Sequence, residues 1–161
     1  MINIRRNVFE TNSSSSHSIT IPFPLELEDC NLIVNDEGYI EVALHEFCHT
    51  PFDSQMARLA WLVQLIINSD LGHNNFWCVP GLEEWNKRAW ELYETEDFKE
   101  LSAAIAEYAN CKGIVLYFGT EGYIDHESCY PGMHSFLSGY DVSIVDFVFG
   151  KDINMFFQFC G

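Results

Sequence analysis

Three groupings of histidine have the residue types that chemistry needs. His45-Glu46-Phe47-Cys48-His49 spells His-Glu-x-x-His. On a helix, residues four apart share a face, so both imidazoles could hold one Zn²⁺ while Glu46 serves as base on the metal-bound water. The second grouping is His17, which closes the run Asn12-Ser13-Ser14-Ser15-Ser16. Asn and Ser side chains bond their own backbone, so Asn12 to Ser16 is expected as a tight loop whose N–H groups can meet an anion. The third is Asp125-His126. Brought to His17 by the fold, Asp125 would orient an imidazole and His126 would be a second acid–base group. The competing reading makes the serine run a structural turn and His17 a hydrogen-bonded histidine without chemistry.

The zinc reading meets three obstacles. Pro51 follows His49 by two residues and ends any helix there. Tyr39 to Leu44, just before the motif, is rich in strand formers. In a strand, residues four apart lie roughly 13 Å apart, too far for one metal ion. No histidine or glutamate stands at the close downstream spacing of the better-defined metalloproteases. His73, Glu83 and Glu84 are third ligands only by default. No cofactor is therefore expected, and zinc on His45 and His49 is the alternative. Neither a Gly-rich phosphate loop nor a Gly-x-Ser-x-Gly elbow is present. The six cysteines (30, 48, 78, 111, 129 and 160) form no Cys-x-x-Cys pair, so buried thiols are expected.

The elements that must position these residues read as strands, then helices, then strands. Ile19-Thr20-Ile21 alternates before Pro22 and Pro24. Asn31 to Val34 and Tyr39 to Leu44 flank Asn35-Asp36-Glu37-Gly38 as an expected hairpin. Asp53-Ser54 can cap a helix to about Ser69 that is apolar nearly all round, hence central and buried. Leu82 to Glu94 and Glu96 to Ala109 read as amphipathic helices, the second with Phe98, Leu101, Ile105 and Tyr108 at helical spacing. Ile114 to Phe118 and Tyr123 to His126 are expected strands around Gly119 to Gly122. Pro131 to Tyr140 reads as a loop or short helix. Asp141 to Phe149 fits a short helix or a strand, and Ile153 to Phe159 a last strand. Without βαβ alternation, this order predicts one α+β domain over 1–161. Its mainly antiparallel sheet, from N- and C-terminal strands, would pack on three central helices.

Composition narrows the function. At 48% hydrophobic and 15% aromatic, the chain has enough apolar surface to fold as one domain. Its 24 acidic against 8 basic residues give a formal charge of −16. Direct nucleic-acid binding and anionic membranes are disfavoured, because both need clustered Lys and Arg. The only adjacent basic pairs are Arg5-Arg6 and Lys87-Arg88. No apolar signal segment follows Arg6, and Leu59 to Ile67 is too short to span a bilayer, so a cytoplasmic protein is expected. Glu83 to Glu107 holds eight acids against three bases, on faces expected to meet solvent. Such a field either keeps a protein soluble or speeds docking on a basic partner.

The stretch "RRNVFETNSSSSHSITI", with Arg5, Arg6, Phe9, Thr11, Asn12, Ser13 to Ser16 and His17, resembles the opening of a group of small proteins from phages and prophage-bearing bacteria. "YIDHES" and "EFCHTPFDSQMARLAWLVQLI" resemble further segments of that group, in which a Gly-Glu-Phe-Gly-like strand end precedes the helix. His45 and His49 are then departures from the group's pattern. The resemblance implies a phage origin and brings no established activity. The expected function is a small acidic binding or inhibitory protein that docks a basic host surface, as anti-CRISPR-like proteins do. Asn12 to Ser16, Glu83, Glu84, Glu91 and Glu94 are its candidate contacts. The alternative is a hydrolase-type enzyme, zinc-dependent at His45-Glu46-x-x-His49 or metal-free around His17, Asp125 and His126.

Overall fold

The computed structural model describes residues 15–44, 51–52, 54–72, 82–118 and 132–159. Its centre is helix α1, Gln55–Ile66, capped by Ser54, whose hydroxyl accepts from Ala57 N at 3.2 Å. Every residue from Leu59 to Ile66 is buried, as expected for a helix apolar all round. A π-helical turn, Ile67–Gly72, continues it. Helices α2, Leu82–Glu94, and α3, Glu96–Ala109, meet at Thr95. The Thr95 hydroxyl donates to Leu92 O at 2.9 Å and accepts from Phe98 N at 3.3 Å, so one side chain closes α2 and opens α3. Phe98, Leu101 and Ile105 form the buried face of α3. Tyr108, one turn on, stacks on Phe149 with ring centroids 4.1 Å apart.

Two small sheets flank these helices. Strand β1, Ser15–Thr20, pairs antiparallel with β5, Asn154–Phe159, from Ser15↔Phe159 to Thr20↔Asn154. The two-residue strand β3, Pro51–Phe52, lines the other side of β5, which gives the order β1-β5-β3. Strand β2, Ile40–Leu44, pairs with β4, Ile114–Phe118. The molecule is an α+β domain, with N- and C-terminal strands in its larger, antiparallel sheet.

The β2–β4 pair is parallel, which departs from the expected hairpin of Asn31 to Val34 on β2. The turn itself forms. Asn35 Oδ1 accepts from Glu37 N at 3.0 Å and Tyr39 N at 2.9 Å, and Gly38 takes φ +89°. The strand before it contributes a single bridge, Val34↔Ile40. Ile33 is 82% exposed there, while Ile40 and Val42 are fully buried. Pairing β2 with β4 adds Ile114 to the core, which a hairpin does not. Gly113 makes that approach possible at φ +133°: a Cβ there would lie 2.6 Å from Ser102 Oγ, the atom that accepts from Ile114 N at 3.1 Å.

Helix α4, Met133–Tyr140, and helix α5, Ile144–Phe149, complete the chain. The ambiguous run from Asp141 is helical because Ser143 and Asp146 form a reciprocal capping box. Phe136 of α4 packs edge-on against Trp61 and Phe147, at 6.2 and 5.2 Å between centroids.

One buried charge joins these parts. Arg58 on α1 is 1% exposed. Its Nη1 donates to the carbonyls of Gly150 at 2.9 Å and Ile153 at 3.3 Å, and Nη2 stands 4.0 Å from Glu28 Oε2. Gln55, also buried, accepts from Asn31 N at 2.8 Å and donates to Asp29 O at 2.9 Å. Truncating Arg58 strands two buried carbonyls and opens a cavity. We expect Arg58→Ala to lower the unfolding free energy by about 3 kcal/mol or more. Gly150→Ala should also destabilise, because its Cβ meets the Asp146 carbonyl and Ile153 Cδ1. Urea denaturation checks both, and a loss for Arg58→Ala below about 1 kcal/mol contradicts this role.

Candidate functional site

Of the residues singled out by sequence, Asn12, Ser13, Ser14, His45, Glu46, His49, Asp125 and His126 lie outside the described residues. Ser15 and Ser16, expected in a tight loop, are instead the first residues of β1, opposite Phe159 and Gln158. Backbone pairing with β5 outweighs the local turn preference of serine. His17 continues the strand, opposite Phe157. Glu83 and Glu84 stand in the first turn of α2. Among the described residues, no three His, Cys, Asp or Glu side chains are arranged to hold a metal ion. Cys30 and Cys111 are free, half-buried thiols, and no described helix is long and apolar enough to cross a membrane.

The outward face of α2 does carry a defined arrangement. Ala89 and Leu92 point into the protein, which turns Trp90 outward to 70% exposure. Trp90 is not loose. Its ring lies edge-on to Tyr93 at 6.0 Å, and the Tyr93 hydroxyl accepts from Leu116 N of β4 at 2.9 Å. Tyr93 in turn packs edge-on against Phe98 at 5.1 Å. Burial pushes the Tyr93 phenol above its ordinary pKa, which keeps it neutral.

Acidic residues follow the indole along α2. Glu94, one helical turn on, is exposed, and Glu91 is half-buried. Glu91 Oε2 accepts from Arg88 Nη1 at 3.0 Å. Lys99 Nζ stands 3.4 Å from Glu94 and 3.2 Å from Glu96, across the Thr95 corner. The bond to Glu96 is the largest cause holding the Lys99 ammonium above its ordinary pKa. Exposed pairs of this kind contribute little to stability, so an incoming cation can replace them at small cost.

A second cluster joins α3 to α4. His134 Nε2 lies 3.3 Å from Asp97 Oδ1 and 3.3 Å from Glu100 Oε2. The Asp97 carboxyl is pushed above its ordinary pKa, first by burial and then by the charge of Asp70, while His134 pulls it down. Sequence reasoning missed Trp90, which was legible as the one aromatic off the Ala89–Leu92 face. It also missed the Asp97–His134 contact, which joins separate helices and leaves no local signal.

No protein-family model, no curated protein and no solved structure matches the chain.

The Asp97 shift has a defined sign. A carboxyl with a raised folded pKa adds stability that is complete below its unfolded pKa and is lost as pH rises through the folded one. Asn at position 97 lacks this loss. The stability of Asp97→Asn relative to the parent should therefore improve from pH 3 to pH 7, as measured by urea denaturation. A relative stability that worsens over that range means that the His134 ion pair outweighs burial.

Proposed function

We propose that this is a small acidic binding protein that docks on a basic surface of another protein, of the kind that otherwise holds nucleic acid, and blocks it. With the phage-like resemblance, the partner is a host factor and the role is anti-defence. The observation that carries the reading is Trp90, an exposed indole fixed by Tyr93, with Glu94 one helical turn away. Large aromatic anchors that lose little freedom on binding dominate protein interfaces. A tryptophan left 70% in water gives up apolar contact that only a partner restores.

Charge supplies the complement. A chain of −16 repels phosphate and attracts basic surfaces, and it does so before contact. At contact, Glu91 and Glu94 exchange Arg88 and Lys99 for the partner's cations. That exchange favours association rate and orientation more than raw affinity. The apolar share of affinity falls to Trp90.

The two contributions separate experimentally. With the partner captured from host extract and purified, Trp90→Ala should weaken binding by about 2 kcal/mol, mainly through faster dissociation. The double variant Glu91→Lys, Glu94→Lys should slow association and flatten its dependence on salt. Duplex DNA should compete with the protein for the partner. Unchanged affinity for Trp90→Ala, measured by surface plasmon resonance, removes the reading.

A further inference from the structure

A groove of about 400 Å³ runs between α3, α4 and α5 and shares no residue with the α2 face. Its floor is apolar: Ala104, Leu137, Val142, Ile144 and Val145. That volume falls within the range of ordinary binding sites. Ser138 and Ser143 also line it, but their hydroxyls are already used. Ser138 Oγ donates to Ser135 O at 3.2 Å, and Ser143 Oγ donates to Asp146 Oδ2 at 2.7 Å.

With both hydroxyl protons committed, the strongest recognition element left at the rim is charge. Glu100, on the α3 wall, is 57% exposed and engages His134 through Oε2, which leaves Oε1 for a new donor. Glu107, two turns along the same helix, and Asp141, where α4 ends, are exposed but do not line the groove, so they add only to the negative field around it. Neither Lys nor Arg is among the residues lining the groove. An apolar floor with an anionic rim is complementary to an amphipathic segment that carries its own cation.

We propose that this groove receives a short amphipathic segment of a partner protein, with apolar side chains on the Leu137–Val145 floor and an Arg or Lys on the Glu100 rim. The proposal rests on reading the chain as a protein-binding module, but at a second face. Guanidinium is the better fit, because it sheds water more readily than ammonium and can reach Glu100 Oε1 with one of its several donors.

The probe is a fluorescein-labelled synthetic helical peptide with leucines on one face and arginines beside them. One control peptide replaces the leucines with serine, and another replaces the arginines with glutamate. Anisotropy titration should show saturable binding of the parent peptide and about tenfold or greater weakening for each control. Ser138→Trp, which fills the groove from an exposed position, and Glu100→Lys should each weaken parent binding about tenfold. Trp90→Ala should leave it unchanged. Either groove variant decides if the other does not melt cooperatively. Equal binding of the serine control means charge alone is at work and overturns the proposal. So does an absence of saturable binding, or wild-type binding by the groove variants. Loss confined to Trp90→Ala assigns the peptide to α2, which removes this site and leaves the α2 reading standing.

Discussion

The guanidinium of Arg58 lies in the first turn of a largely apolar buried helix and constrains everything packed around it. A buried charge is tolerated only where polar groups converge on it. Here the convergent groups are backbone carbonyls of Gly150 and Ile153, from the turn between α5 and β5. That turn is itself sewn to the segment before β2, through Lys151 N to Glu26 O at 2.6 Å and Glu28 N to Phe149 O at 2.7 Å. Gln55 holds the next residues of that segment, and the Tyr108 hydroxyl donates to Glu28 O at 2.9 Å. The start of α1, the end of α3, an irregular segment and the origin of β5 thus form one polar knot. Because β5 starts there, the strands that pair with it, β1 and β3, are placed by the same knot.

Apolar burial alone would allow α1 to rotate or slide, since its faces are nearly equivalent. The knot removes that freedom, because each donor at Arg58 and Gln55 meets its acceptor in one register only. Gly150 fits this role: side-chain bulk there would displace the turn whose carbonyl the guanidinium needs. The apolar cluster then supplies the bulk of the driving force, while the knot selects the arrangement.

Elements whose causes are local were legible in the sequence. The all-apolar run at Leu59 to Ile67 marks a buried helix, and Phe98, Leu101 and Ile105 mark the inner face of α3. Ser143 and Asp146 are a local signal too, and they decide the helix at Ile144. What failed depends on distant segments. Asn35 to Gly38 forms its turn, yet the strand that pairs with β2 arrives only after three helices. The serines at 15 and 16 favour turns locally and are extended because β5 lies beside them. Of the candidate contacts, Glu91 and Glu94 pair with Arg88 and Lys99 through spacing along α2 and α3 that a charge count does not resolve.

The α2 face depends on the same long-range pairing. Trp90 is held by Tyr93, and Tyr93 is held by the amide of Leu116, the middle residue of β4. The parallel β2–β4 pair therefore orients the exposed indole, although neither strand reaches that surface through Trp90 itself. If Trp90 anchors a partner as proposed, an indole fixed in this way loses little entropy on docking. A change that loosens β4 should cost binding without touching a contact residue. Charge behaves differently. The field of the acidic chain acts over roughly a Debye length, about 8 Å at physiological salt, and tolerates movement of any one carboxylate. Approach depends on a sum over many residues and fit depends on one packed ring, so substitutions at the two kinds of position should separate in kinetics even where their affinities agree.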